Sequence, residues 1–235
     1  MSLLTILEDA CDRIGLSRPT SVIGSSDHQV RQLLSLSNQV GKHLVGRHDW
    51  QRLTTEKTFT ATATETQTGA IPADFERMVP RSFWNRSQDR RVTGPVSPQR
   101  WQMLQSGLVT QPWDSFRIRG NALLMSPVPV AGDTMAYEYI SSYWCMGIGE
   151  TTGDQAAWVV DTDTSIWPDE IHTLGVVWRF QKSRGLEYAE TLRDFEMELA
   201  RLIGNDGGIS DISMTNDAAD TLHEPYVQDG SWGLT

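Results

Sequence analysis

Three stretches of this sequence carry residue types that could do chemistry. The first is GRHDWQRL, residues 46–53, where His48 stands beside Asp49. A histidine and a carboxylate make a proton relay only when a hydrogen bond orients one against the other. Neighbours on a helix point about 100° apart, so this pair does not face itself. Trp50 reads as a plug at a junction. The second is DEIH, Asp169 to His172. Asp169 and His172 are three apart and could share a helix face, as half of a metal site would. No second half accompanies them, and capping of a helix N-terminus is the simpler use of these residues. The third is GIGETTG, Gly147 to Gly153. Its glycines lack dinucleotide-loop spacing and no Lys-Ser or Lys-Thr follows, so it reads as a flexible loop. Carboxylates among Asp161, Asp163, Asp169 and Glu170 would serve a cell-wall hydrolase if two lay about 5 to 10 Å apart in a cleft. Serine-hydrolase, zinc-protease and kinase signatures are absent. These stretches therefore predict no catalytic, metal or cofactor-binding residue, and no cofactor.

The elements that hold these residues follow from periodicity. Ser2 to Ile14 has helical spacing of Leu3, Leu4, Leu7, Ala10, Cys11 and Ile14, with Gly15 as a stop. Ser26 or Asp27 caps a second helix, reaching about His48 with Val30, Leu33, Leu34, Ser37, Val40, Gly41, Leu44 and Val45 on its apolar side. The Thr-rich run after it alternates, as strands do. Ser97-Pro98 opens a short helix that stops near Gly107. Gly120-Asn121 between alternating runs predicts a hairpin. Residues 134–141, TMAYEYIS, make another strand, and 143–165 are mostly loop. Pro168 starts a helix through Leu174, Val177, Trp178 and Gln181 to Gly185. A last helix carries Tyr188, Leu192, Phe195, Leu199, Leu202 and Ile203, and stops at Gly204. Trp50, Trp84, Trp101 and Trp178 read as packing residues. Runs of strands between runs of helices predict an α+β fold. Residues 1–50 and 166–204 form a helical core, 51–165 a β-rich insert, and 205–235 an extended acidic C-terminal arm.

Charge narrows the function. The chain has 235 residues, 39% hydrophobic, enough for a real core. Net charge is −10, which argues against a DNA-binding regulator. No run approaches the roughly 20 apolar residues of a membrane span, and the N-terminus does not look like a signal peptide. Cys11 and Cys145 fit buried free thiols, and Asn85-Arg86-Ser87 is a glycosylation triplet without secretory context. Between Glu76 and Arg119 stand eight arginines and three acids; from Asn205 onward stand six acids and no Lys or Arg. This asymmetry means either a solvated charged face or complementary surfaces between copies or partners. Candidates for a subunit interface are Arg47, Arg52, Arg90, Arg91, Arg117 and Arg119. In the arm, Ile209, Ile212, Met214, Leu222, Tyr226, Val227 and Trp232 are spaced apolar anchors that a purely solvated tail has no use for.

The ordered set of segments GRHDWQRL, IPADFERMVPRSFWNRS, GPVSPQRWQ, FRIRGNALLMSPVPVAGDTMAYEYISSYWC and DTDTSIWPDEIHTLGVVWRFQKSRGLEYAE resembles the head-to-tail adaptor proteins of tailed bacteriophages. The resemblance covers roughly residues 1 to 204 and rests on the whole set, since no single motif is diagnostic. It implies a structural virion protein at the head–tail junction, not an enzyme. The implied partners are a portal protein, neighbouring copies in a homo-oligomeric ring (commonly twelve), tail nozzle or tail tube proteins, and double-stranded DNA passing without sequence-specific binding. A stopper or tail-completion ring, lower in the tail, is the related alternative.

Overall fold

In a computed structural model of the protein, residues 2–107 and 113–207 are described. The chain begins with helix α1 (Leu3–Ile14). Ser2 caps it, its hydroxyl accepting from the Thr5 amide, and Gly15 ends it in the left-handed conformation (φ 72°) that glycine adopts without strain. Helix α2 (His28–Arg47) is capped by Asp27 and stops at His48. Its buried side differs by one residue from the periodic reading: Leu36 is buried where Leu34 was expected.

After a 3₁₀ turn (Gln51–Leu53), strand β1 (Thr54–Thr60) begins a region of short strands. These are β2 (Thr66–Gln67), β3 (Phe75–Met78), β4 (Trp84–Asn85), β5 (Arg90–Arg91), β6 (Ser115–Arg119), β7 (Ala122–Ser126) and β8 (Thr134–Ser141). Helix α3 (Pro98–Gln105) lies between β5 and β6, with Ser97 as its cap and Pro98 opening its first turn. Gly120 and Asn121 join β6 to β7 with both φ positive, the geometry a two-residue hairpin turn requires.

Strand β8 organises the sheets. It pairs antiparallel with β1 from Thr134 to Ile140. Its other edge takes β4 at Met135 and Ala136 and β3 from Tyr139 to Ser141. A second sheet, in the order β2-β7-β6, faces the first. Phe59, Met135, Tyr137 and Tyr139 from the first meet Phe116, Leu123 and Met125 from the second in one core. The Phe83 and Phe116 rings bridge the layers edge-on at 5.1 Å. Alternation therefore sends Ala136, Glu138 and Glu56 to the far face of the first sheet, and Arg117 and Arg119 to the far face of the second.

Strands β9 (Cys145–Met146) and β10 (Thr164–Ser165) pair with each other before helices α4 (Asp169–Arg184) and α5 (Ala189–Asp206). Helix α4 touches α1, α2 and α5. Contact on three sides corrects the expectation of one buried stripe. Ile171, His172, Thr173, Gly175, Val176, Val177 and Phe180 are buried, while Leu174 and Trp178 are only partly covered. The molecule is thus mixed α and β, consistent with α+β, with five α-helices and three antiparallel sheets among the described residues.

Helix α5 runs past Gly204 to Asp206, because Asp206 is held: its carboxylate accepts from the Gln51 amide (2.9 Å) and lies 3.4 Å from His48 Nε2. Trp50 and Trp101 are buried as expected, but Trp84 is 39% exposed on the far face of the first sheet. Only two residues of its strand pair, and its side chain borders an open concavity.

Candidate functional site

The segment GRHDWQRL is a structural joint. Arg47 ion-pairs with Glu196 of α5 at 2.6 Å, and Asp49 with Arg77 of β3 at 2.7 Å. Arg77 also donates to the Val45 and His48 carbonyls that end α2, satisfying acceptors the helix leaves open. Trp50 buries its ring and donates to the Leu44 carbonyl (2.7 Å). Arg52 donates to the Ile166 carbonyl (2.5 Å). His48 and Asp49 thus face different partners, as adjacent residues should. Arg47 and Arg52, expected to meet acids of a neighbouring copy, are engaged inside their own chain.

The acidic candidates are likewise occupied. Asp161 accepts from Ser21 Oγ and from the Val22 and Ile23 amides, closing the loop between α1 and α2, and these bonds hold its carboxyl below the usual range. Asp163 is buried and accepts from the Val159 and Val160 amides. Glu170 makes a two-pronged pair with Arg13 (2.9 and 2.7 Å). Asp169 sits with Glu170 in the first turn of α4, where the helix dipole favours acids. Three of the four carboxylates considered for a hydrolytic pair are therefore spent on holding α1, α4 and their loops. Among the described residues no three His, Cys, Asp or Glu side chains gather as metal ligands. GIGETTG follows β9 and opens no helix; the Gly147 amide donates to Asp154.

His172 does not cap α4. It is fully buried, with Trp144 stacked at 5.4 Å and Trp158 and Trp167 beside it. Its Nε2 shares a 2.8 Å hydrogen bond with Ser165 Oγ. Burial, with the charge of Arg179, pushes its pKa down to about 3, so it is neutral. Sequence reasoning missed this cluster because Trp144 and Trp158 lie in an irregular stretch without period. The signal that could have found it was tryptophan density itself. Nearby, Arg179 lies 4.3 Å over the Trp178 ring and donates to His43 Nδ1, joining α2 to α4. Cys11 and Cys145 are buried free thiols; burial pushes the Cys145 thiol up to about 12. Asn85 is buried and donates to Asp133, so the glycosylation triplet is closed.

One surface open to a partner lies on the β region. A concavity of about 440 Å³ on the far face of the first sheet is lined by Glu56, Trp84, Arg86, Asp89 and Glu138. Arg86 pairs with Glu56 at 2.9 Å. Arg90 and Arg91 form β5, with Arg91 directly across from Trp84. On the opposite face, Arg119 is exposed and Arg117 half-buried. The arm anchors Ile209, Ile212, Met214, Leu222, Tyr226, Val227 and Trp232 lie outside the described residues.

An arrangement of joints, occupied carboxylates and open sheet faces suits assembly. No curated protein matches the chain. The match to a family model is extensive: it runs from residue 1 to residue 221, through both helical segments, the β region and into the arm. The chain belongs to the SU10 adaptor protein family, a family of phage head-to-tail adaptors.

Proposed function

We propose that this protein forms a homo-oligomeric ring beneath the portal, joins head to tail, and surrounds the channel through which DNA passes. Membership of an adaptor family across residues 1–221 is the observation that carries this reading. In it, the four long helices are the body, the strand region is an insert that meets neighbouring copies, and the ring matches the portal, commonly with twelve copies. The protein is made in the host cytoplasm and is built into the virion. Tail nozzle or tail tube proteins bind below. A net charge of −10 suits a conduit for DNA. Each neutralised phosphate would add affinity through counterion release, and an acidic wall leaves the duplex free to slide.

The arm from residue 208 onward docks on the portal or on a neighbouring copy through its spaced apolar anchors. Its acids favour a basic groove there, so attachment weakens as salt rises. Sedimentation of the chain alone and with its portal, followed by negative-stain class averages, tests the reading. A ring seated on the portal is the expected image. A chain that stays a single copy with portal present overturns it.

A further inference from the structure

The β region carries complementary charged patches on sheet faces that point away from each other; the second sheet's outer face is covered at Ser115 and Leu124 and opens at Arg119. On the first sheet, Glu56 and Glu138 stand directly opposite across the β1–β8 pair. Like charges in that register repel. Arg86 compensates Glu56, while the Glu138 carboxylate has no cation partner among the described residues. Asp89 adds a third carboxylate to the concavity, and Trp84, 39% exposed, stands at its side. Arg91, across from Trp84, has a partner of its own. An acidic concavity beside an exposed indole fits one kind of group well: a guanidinium, which pairs with carboxylate and stacks on an aromatic ring.

The other sheet supplies that group. Arg117 and Arg119 project from β6 on the side away from the shared core, next to the Gly120-Asn121 turn. Neither has an ion-pair partner among the described residues, and Arg119 is exposed at the hairpin tip. Two layers of sheet separate these arginines from the acidic concavity, so they cannot reach it within one chain. Complementary patches on opposite faces of one molecule pair head to tail, and such contacts close into a ring when the rotation per copy allows.

We infer that the β6–β7 hairpin of one copy seats Arg119 in the Glu56–Glu138–Trp84 concavity of the next. This inference rests on the ring reading and names the contact that builds it. Two charge reversals test it: Glu138→Arg and Arg119→Glu, both on exposed side chains, with melting temperature as the control for folding. Each variant alone presents like charges at every contact and is expected to lose ring formation on the portal, by on the order of tenfold or more. Mixed in equal amounts, the two variants can alternate around the ring. Every contact then joins opposite charges, and assembly is expected to return. Single variants that assemble like the parent, or a mixture that is not rescued, overturn this contact while leaving the ring intact. A parent chain that never gathers on the portal overturns the ring reading, and the contact with it.

Discussion

A methyl group at Gly41 would lie 2.2 Å from the Trp144 ring, well inside any tolerable contact. The indole lies flat on α2 because that residue has no side chain. Gly41→Ala should therefore destabilise, although alanine is the better helix former. Overpacking of this kind costs about 1–3 kcal/mol, readable as a lower denaturant midpoint. The same cluster sets a pH response. His172 is held neutral with its pKa near 3, whereas in the unfolded chain it titrates near 6.5. Between those values the unfolded state binds the extra proton, so stability falls as pH falls from about 6.5 toward 3. The slope from this one group approaches 1.4 kcal/mol per pH unit. His172→Gln should flatten that part of the stability–pH curve relative to the parent, measured by urea unfolding at a series of pH values. Neither feature was legible in the sequence. His172 stood in what looked like a capping motif, and the tryptophans that enclose it come from an aperiodic stretch. By contrast, the caps Ser2, Asp27 and Ser97 could be read directly, because a cap acts through its own side chain within a few residues.

Elements with a strong period or a defined turn were legible: α1, α2, the Gly120-Asn121 hairpin and β8 match their expected bounds within a residue or two. Elements whose limits depend on distant partners were not. Helix α5 should stop at Gly204 by local preference, yet it continues because Asp206 reaches the Gln51 amide and His48. Trimming the arm after Gly204 would therefore remove part of the joint as well as the arm. Truncation after Gly207 should melt close to the parent, and truncation after Gly204 lower, by about 1 kcal/mol for the lost capping contact. Portal attachment should fall sharply in both. Full attachment by the chain ending at Gly207 would leave the arm a passive tail. The arginines divide by the same logic. Composition marked a basic middle, but only pairing geometry separates Arg47, Arg52 and Arg77, used inside the chain, from Arg117 and Arg119.

At the scale of the whole molecule, β8 belongs to two cores at once. Met135, Tyr137 and Tyr139 sit in the core between the sheets, and Ile140 in the core built by the helices and tryptophans. Shared burial along one strand predicts a single cooperative unfolding transition. Far-ultraviolet dichroism and near-ultraviolet aromatic signals should give the same midpoint, and Ile140→Ala should shift both together. Separate midpoints would show that the two cores unfold independently. The family and mixed fold class could be read before any coordinates, whereas the opposed acidic and basic sheet faces could not, since they depend on which side of each strand meets the shared core. The uneven covering of the tryptophans also has an optical consequence. Trp50, Trp101, Trp144, Trp158 and Trp167 are buried, while Trp84 and Trp113 meet water. The protein thus emits from two populations of indole, one already blue-shifted and one able to shift. If copies close over the Trp84 face, assembly would be visible as a change of colour in the protein's own fluorescence, with no label attached.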